Sequence, residues 1–428
     1  MRQTIMLFIL ALLTGLAPCA QKGKSLVAAV PESAGFSSER LQRLDNALKA
    51  WVDSGWYNGG VGLVIRDGKI VYYKAAGYDD LQIRTPLARD GIFRIASQTK
   101  AITSVAIMIL YEEGKLLLSD PVSKYIPSFK KQTVLDKFNA ADTTYTTVPV
   151  QRDITIKDLL THTSGIGYAQ IGSREANAIY AKYGLTAGIA VTNETLLQAM
   201  SRLGTLPLLH QPGQKWTYGL NTDLLGCLVE VISGKSLDEF FRARIFEPLG
   251  MKDTYFMVPD SKAKRLVNLY REDSTGQLVK STGQMLNGNL VGPDYPLKRS
   301  TYYSGGAGLS STIYDYAIFL QMLLNGGIYN GKRILSRNTV RMMTMNQIGD
   351  LVFRNDDKFG LGFQLVSEKN GNVPAQAGTF SWGGAFATSY WVDPKEKMVL
   401  LFYRQLQRTT KGEVVEKFRA LAYQAIND

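Results

Sequence analysis

Residues 94–103 read RIASQTKAIT and set a serine and a lysine three positions apart, directly before an apolar run. At this spacing on a helix, the side chains of Ser97 and Lys100 lie on one face and can meet. The N–H of Ser97 is unpaired in a first helical turn and can therefore bind a developing negative charge. Burial of Lys100 beside Ala101 and Ile102 favours a neutral amine that could accept the serine proton. The same pattern also describes the polar first turn of an ordinary helix, so it does not decide the function by itself.

The composition is that of a folded globular protein, with 45% hydrophobic and 20% charged residues in a chain of 428. The net charge of +12 is spread along the chain without a basic stripe, so we expect no nucleic-acid partner. Residues 1–20 combine an early arginine, an apolar stretch and small residues, which is typical of a secretory signal peptide. This predicts a periplasmic or secreted protein with no membrane span in the mature chain. A lipid anchor on Cys19 is the less favoured alternative, because Pro18 directly precedes it.

Sheet-forming segments lie at both ends of the chain. Residues 61–78 form two β-type runs around Asp67-Gly68, a dipeptide that suits a tight hairpin turn. A second pair of runs flanks Asp393-Pro394, and residues 412–426 have helical spacing. We therefore predict an α/β (α+β) fold in which both chain ends build one antiparallel sheet flanked by helices. The expected sheet domain comprises residues 31–95 and 300–428.

The segment between these ends, residues 96–299, predicts a mostly helical inserted domain. One helix pair is expected to break at Ser233-Gly234, the second helix opening with Ser236 and Glu239 in capping-box spacing. Residues 128–153 and 257–300 are polar and weakly periodic, which indicates long loops. The cleft between the two domains is the expected place for chemistry.

Several common site types are excluded by the residues present. The two histidines, His162 and His210, lack the spacing of a metalloprotease helix, and no serine has glycine at both i−2 and i+2 as in α/β-hydrolases. After removal of Cys19 with the signal, Cys227 would be the single cysteine, so no cysteine cluster can hold a metal. We expect neither a metal nor a cofactor.

Two further segments carry residues suited to a cleft. Tyr218 stands in a turn flanked by glycine directly before an apolar helix, and Trp382-Gly383-Gly384 stands on a terminal strand where a ligand could approach the backbone. A glycine-rich stretch at residues 304–308 precedes another helix. Each of these could equally be a plain turn or bulge.

Six segments in a fixed order resemble a known family: FRIASQTKAIT (93–103), DLLTHTSG (158–165), WTYGLNTDLLG (216–226), EPLGMKDT (247–254), GGAGLSST (305–312) and WGGAFATSYWVDP (382–394). They resemble the serine β-lactamase-related hydrolases of the class C type, which include D-alanyl peptidases, D-aminopeptidases and family VIII carboxylesterases. The resemblance covers about residues 33–425 and implies a β-lactamase/transpeptidase-like fold.

The resemblance also implies roles for individual residues. Ser97 would be the acylated nucleophile, Lys100 its activating partner and Tyr218 the shared general base and acid. The N–H groups of Ser97 and Ala385 would form the oxyanion hole, and His162 would be structural.

The third family motif corresponds to Trp382, Gly383 and Gly384, which we expect to bind substrate. Asn221 stands one place late for the family's Tyr-x-Asn motif, and we expect it to contact substrate as well. Trp382 replaces a cation that holds the β-lactam carboxylate, a loss on the order of 1.5 to 3 kcal/mol of binding.

These departures favour a secreted serine hydrolase acting on carboxylesters through a Ser97 acyl-enzyme. The alternatives are a class C-type β-lactamase, a D-alanyl peptidase or D-aminopeptidase, and a non-catalytic protein that binds peptidoglycan or β-lactams. The expected ligand is accordingly a small ester, an amide or a peptidoglycan-derived compound, and the sequence leaves the oligomeric state open.

Overall fold

The computed structural model describes residues 25–282, 291–371 and 373–428. The predicted signal peptide at residues 1–20, with Cys19, lies outside the described residues. Within the described ranges, no helix combines the length and the apolar character needed to cross a bilayer.

The described residues form nineteen strands and eleven α-helices. The strands are β1 Val27–Ala28, β2 Gly59–Arg66, β3 Lys69–Asp80, β4 Thr85–Pro86, β5 Phe93–Arg94, β6 Thr133–Asn139, β7 Thr144–Pro149, β8 Thr254–Tyr255, β9 Tyr270–Glu272, β10 Leu278–Lys280, β11 Ser310–Ser311, β12 Ile328–Tyr329, β13 Lys332–Arg333, β14 Lys358–Phe359, β15 Gln364–Leu365, β16 Phe380–Gly384, β17 Thr388–Asp393, β18 Met398–Arg404 and β19 Leu406–Gln407. The helices are α1 Ser38–Asp53, α2 Thr99–Glu112, α3 Ile156–Leu160, α4 Arg174–Lys182, α5 Leu196–Leu203, α6 Asn221–Ser233, α7 Leu237–Phe241, α8 Glu247–Leu249, α9 Ile313–Leu324, α10 Arg337–Met343 and α11 Glu413–Gln424.

One large sheet joins the two ends of the chain. Its strand order is β1-β3-β2-β18-β17-β16-β15-β14, with β4 paired to β3, and all pairs except β1 with β3 are antiparallel. The predicted hairpin around Asp67-Gly68 forms between β2 and β3, and β2 pairs with β18 so that Val64 faces Leu400. The predicted fold class is therefore confirmed.

Helices cover both faces of this sheet. Because side chains alternate along a strand, Leu63 and Leu401 pack with α2 and α9, whereas Val64 and Leu400 pack with α1 and α11. Phe418 of α11 stacks on a ring of β18 at a centroid distance of 4.4 Å. The α2 face matters for function because the predicted nucleophile, Ser97, lies in the turn directly before α2.

The predicted break between α6 and α7 also forms as expected. Helix α6 ends at Ser233, and Ser236 caps α7 in a reciprocal capping box with Glu239. The predicted bounds of the two domains stay a prediction.

The expectation of a long loop at residues 128–153 is wrong. Strands β6 and β7 pair there as an antiparallel hairpin, with Val134 facing Val148. Most of its side chains are at least partly exposed, so the apolar alternation that reveals a strand is missing. The β-branched threonines and valines of this segment were the remaining sequence signal for strands. Residues 257–300 likewise contain the short strands β9 and β10.

Candidate active site

Ser97 lies in a 3₁₀ turn, Ala96–Gln98, directly before α2. Ala96 has a φ of 42°, a left-handed conformation that is strained for a residue other than glycine. Neighbouring helices and strands hold this turn: Tyr316 Oη donates to the carbonyl of Gln98 at 2.8 Å, and Tyr403 Oη donates to the Gln98 side chain. The nucleophile candidate therefore stands on a rigid, strained corner rather than on a regular helical turn.

Ser97 Oγ contacts both predicted partners. It lies 2.7 Å from Tyr218 Oη and accepts a hydrogen bond from Lys100 Nζ at 3.3 Å. The structure thus brings together three residues that the sequence singled out at positions 97, 100 and 218.

Lys100 is buried, but its amino group has polar surroundings. Lys100 Nζ donates to the carbonyl of Gly306 at 2.7 Å and lies 4.8 Å from the centre of the Tyr218 ring. A hydrogen-bond acceptor and an aromatic face therefore border this amino group. The expectation that the amine lies in an apolar environment is wrong.

Tyr218 stands in the turn before α6, and backbone hydrogen bonds hold this turn. The N–H of Thr217 donates to the carbonyl of His162 at 2.8 Å, and the N–H of Leu220 donates to that of Gly167 at 3.0 Å. The Tyr218 ring packs against Tyr168 at a centroid distance of 5.5 Å. Its hydroxyl is therefore held at Ser97.

Asn221 does not face the cleft, so the prediction that it contacts substrate does not match the structure. Its side chain is fully buried and takes part in hydrogen bonds with His162 and Ser164. Burial, followed by the charge of Lys100, holds the pKa of His162 well below its usual value, so its Nδ1 accepts from Asn221 Nδ2 at 2.9 Å. The His162 ring lies 5.3 Å from the Tyr218 ring, so His162, held by Asn221, packs against Tyr218.

Strand β16 brings the third motif against the Ser97 turn. A Cβ on Gly384 would lie 2.3 Å from the carbonyl oxygen of Ile95, so this close approach requires glycine. Ala385 follows directly and lines the same cleft as Ser97, Trp382 and Gly383. The arrangement places the two candidate oxyanion-hole residues on facing segments.

The cleft above Ser97 has a volume of about 920 Å³. Trp382 forms one wall, with its ring centre 5.8 Å from that of Tyr218. The exposed guanidinium of Arg354 lies 5.5 Å from the Trp382 ring centre and reaches the cleft from a turn in which Asn355 and Asp356 adopt left-handed φ values of 51° and 63°. The cleft therefore contains a cation that the sequence analysis missed, because it comes from a different segment than the Trp382 motif.

The glycine-rich stretch at residues 304–308 is the second element that the sequence analysis undervalued. It lies between α2 and α6: Thr103 Oγ1 donates to the carbonyl of Gly305 at 2.6 Å, and Lys100 donates to Gly306. Asp223, an acidic residue in the otherwise mostly apolar α6, accepts from Ser304 Oγ at 2.5 Å. A charged residue in a mostly apolar helix was the sequence signal that could have revealed the role of Asp223 in holding this stretch.

Comparison with known proteins agrees with this geometry. A family model described as Beta-lactamase matches residues 44–424. The chain belongs to the Beta-lactamase family. Esterase EstB of Burkholderia gladioli is 30% identical over 346 residues, which cover 78% of this chain and 82% of EstB. A D-alanyl-D-alanine carboxypeptidase-like protein of Escherichia coli K12 is 29% identical over 419 residues, which cover 92% of this chain and 89% of that protein.

Among solved structures, that of EstCE1, a hydrolase with promiscuous acyltransferase activity, superposes with a TM-score of 0.76 at 26% identity, over 90% of this chain and 98% of EstCE1. The predicted family and enzyme class are confirmed. This Beta-lactamase family member is a serine hydrolase with the β-lactamase fold.

Proposed function

We propose that this protein hydrolyses carboxylesters through a covalent acyl-enzyme on Ser97. The observation that carries the proposal is the hydrogen-bonded set of Ser97, Tyr218 and Lys100 beneath a cleft walled by Trp382. An aromatic wall in place of a charged one suits a neutral ester, and EstB and EstCE1 are relatives whose names state esterase or hydrolase activity.

Acylation begins when Tyr218, reacting as the phenolate after loss of its hydroxyl proton to solvent, accepts the proton of Ser97 Oγ as the serine oxygen attacks the ester carbonyl. The N–H groups of Ser97 and Ala385 stabilise the resulting oxyanion. The bond to the alkoxy oxygen then breaks, and Tyr218 passes its proton to the departing alcohol.

Deacylation repeats these steps with water as the nucleophile. Tyr218 accepts a proton from the water as the water oxygen bonds to the acyl carbon. The bond from this carbon to Ser97 Oγ then breaks, and Tyr218 returns the proton to Ser97 Oγ as the carboxylic acid leaves. Lys100 stays hydrogen-bonded to Ser97 and close to the Tyr218 ring in the resting enzyme, so it can favour negative charge on both oxygens.

A second candidate is hydrolysis of D-alanyl peptides or β-lactams, whose carboxylate needs a cation. Arg354 favours it, because its guanidinium lies in the cleft against Trp382. Binding without turnover is the third reading, and an intact catalytic set argues against it.

The test compares hydrolysis of short p-nitrophenyl esters, a chromogenic cephalosporin and a D-alanyl-D-alanine peptide by the wild type and Ser97→Ala. Ser123→Ala is a matched control, since Ser123 also lies in a 3₁₀ turn, Val122–Lys124, and does not line the cleft. We expect ester turnover that falls by several orders of magnitude in Ser97→Ala alone.

Full ester hydrolysis by Ser97→Ala would refute the mechanism. A stable adduct on Ser97 in intact-mass spectra, without turnover of any of these compounds, would instead support a binding protein. Secretion stays a prediction, tested by fractionating cells and sequencing the mature N-terminus.

A further inference from the structure

Asp223 is a buried carboxylate that the mechanism above does not use. It has no solvent exposure, and its Oδ1 accepts hydrogen bonds from Ser304 Oγ at 2.5 Å and from the N–H of Gly306 at 3.4 Å. Its second oxygen, Oδ2, receives no hydrogen bond from the described residues. A buried charge without a partner is unfavourable, so a compensating positive charge is expected nearby.

Lys100 supplies that charge from the neighbouring helix α2. A Cβ placed on Gly306 would lie 2.5 Å from Asp223 Oδ2 and 3.3 Å from Lys100 Nζ, so the two charged atoms are at most about 6 Å apart. Gly306 has no side chain to separate them, and its carbonyl accepts a hydrogen bond from Lys100 Nζ. In a buried site, opposite charges at this range strongly stabilise each other.

A purely structural role is the alternative. Asp223 lies in the first turn of α6, where a carboxylate stabilises the helix N-terminus, and its bond to Ser304 holds the glycine-rich stretch. An asparagine would keep that hydrogen bond and lose only the charge, so the two roles can be separated.

We propose that Asp223 is a positioning residue that keeps Lys100 as an ammonium ion and thereby leaves Tyr218 as the group that takes the serine proton. This rests on the proposed function for the reaction, but the charge on Lys100 is testable whichever substrate the enzyme uses.

Burial raises the pKa of Asp223 itself, and the charge of Lys100 opposes that rise. The buried titratable groups around this pair favour their neutral forms. Burial raises the pKa of Tyr168 and of Tyr302 well above the usual tyrosine value, and it lowers that of His162 well below the usual histidine value. Tyr218 is the remaining partner. A shift of the pH profile in an Asp223 variant therefore reports on Lys100 and Tyr218.

The experiment measures how fast an alkyl fluorophosphonate captures Ser97 as a function of pH. Ser97 Oγ forms a bond to phosphorus, fluoride leaves, and the serine proton passes through Tyr218 to solvent, so the rate reports nucleophile activation without any ester substrate. The variants are Asp223→Asn, Ser304→Ala and Glu230→Gln. Glu230 is a matched control, because it is a half-buried carboxylate on the same helix that accepts from the N–H of Leu237 at 2.9 Å.

We expect Asp223→Asn to react at least tenfold more slowly at pH 7.5, with the alkaline limb of its profile at least one pH unit lower. The limb falls because a buried ammonium that has lost its carboxylate gives up its proton more readily. Glu230→Gln should keep the wild-type alkaline limb, and Ser304→Ala, which retains the Asp223 carboxyl group, should displace it less than Asp223→Asn does. The proposal would be overturned if the alkaline limbs of the pH profiles of Asp223→Asn and the wild type coincided. It would also be overturned if Ser304→Ala shifted the alkaline limb as far as Asp223→Asn does.

A direct measurement covers the case in which Asp223→Asn does not fold. NMR of the ¹⁵N-lysine-labelled wild type, with the Lys100 signal assigned through its loss in Lys100→Arg, reports the charge of this amine. An ammonium at pH 7 is expected, and a neutral amine would overturn the proposal. If p-nitrophenyl esters are not hydrolysed while these outcomes hold, the ester proposal fails and the Asp223 proposal stands.

Discussion

Replacing Gly384 by alanine should reduce kcat for ester hydrolysis about a hundredfold with little change in KM. The new Cβ would lie 2.3 Å from the carbonyl oxygen of Ile95 and 2.4 Å from Thr388 Oγ1. Since ordinary contacts begin near 3.4 Å, strand β16 has to move about 1 Å away from the Ser97 turn. Ala385 moves with it, so its N–H leaves the position of the oxyanion.

A displacement of about 1 Å can lower a rate roughly 100-fold, and loss of one oxyanion donor lowers kcat by about 100- to 1000-fold. A hundredfold loss corresponds to about 2.7 kcal/mol of transition-state stabilisation. KM should change little because the contact is made chiefly in the transition state.

The assay is steady-state hydrolysis of p-nitrophenyl butyrate together with a thermal melt. Gly412→Ala is the control for the loss of backbone freedom, since a Cβ there would meet nothing within 4 Å. A folded Gly384→Ala enzyme with kcat within threefold of the wild type would refute the assignment of the oxyanion hole to this strand.

Three further outcomes are expected. Tyr218→Phe should lower kcat at least a thousandfold with nearly unchanged KM, because it removes the hydroxyl 2.7 Å from Ser97 Oγ and keeps the stacked ring; comparable turnover would exclude Tyr218 as the base. Arg354→Gln should raise KM roughly tenfold for a carboxylate-bearing ester and leave KM for a neutral ester of equal length unchanged, and equal changes for both esters would contradict an anion-binding role. The free energy of unfolding should fall as the pH drops below about 6.5, by up to about 1.4 kcal/mol per pH unit from His162, because the unfolded chain binds a proton that the buried, neutral ring does not. Denaturant unfolding of His162→Gln between pH 5 and 8 should show a shallower slope, and an unchanged slope would be inconsistent with this account.

Local sequence patterns predicted several of the strands, helices and turns correctly. The Asp67-Gly68 hairpin, the break after Ser233 and the cap at Ser236 depend on residues only a few positions apart, so their chemistry is readable from the chain. The hairpin at residues 133–149 was missed because neither of its faces is buried continuously, which removes the period of two.

The candidate site was predictable in part. Ser97 and Lys100 share one turn, and Tyr218 was marked by its glycine-flanked turn before a helix, so motif and spacing indicated them. Asn221 was misassigned because one residue of register decides whether a side chain at a helix start faces the cleft or the core. In the structure it faces the core, with His162 as its partner.

By itself, the sequence determined the Beta-lactamase family fold, the sheet shared by both chain ends and the residue types that meet at positions 97, 100 and 218. The tertiary structure alone decided the environment of those residues: the carboxylate of Asp223 near Lys100, and the guanidinium of Arg354 against Trp382. The physical reason is that the two members of each pair come from separate segments. Lys100 and Asp223 are more than a hundred residues apart, and Arg354 and Trp382 are more than twenty residues apart. Spacing along one helix or strand specifies which side chains share a face, whereas the packing of separate segments specifies which charged groups meet.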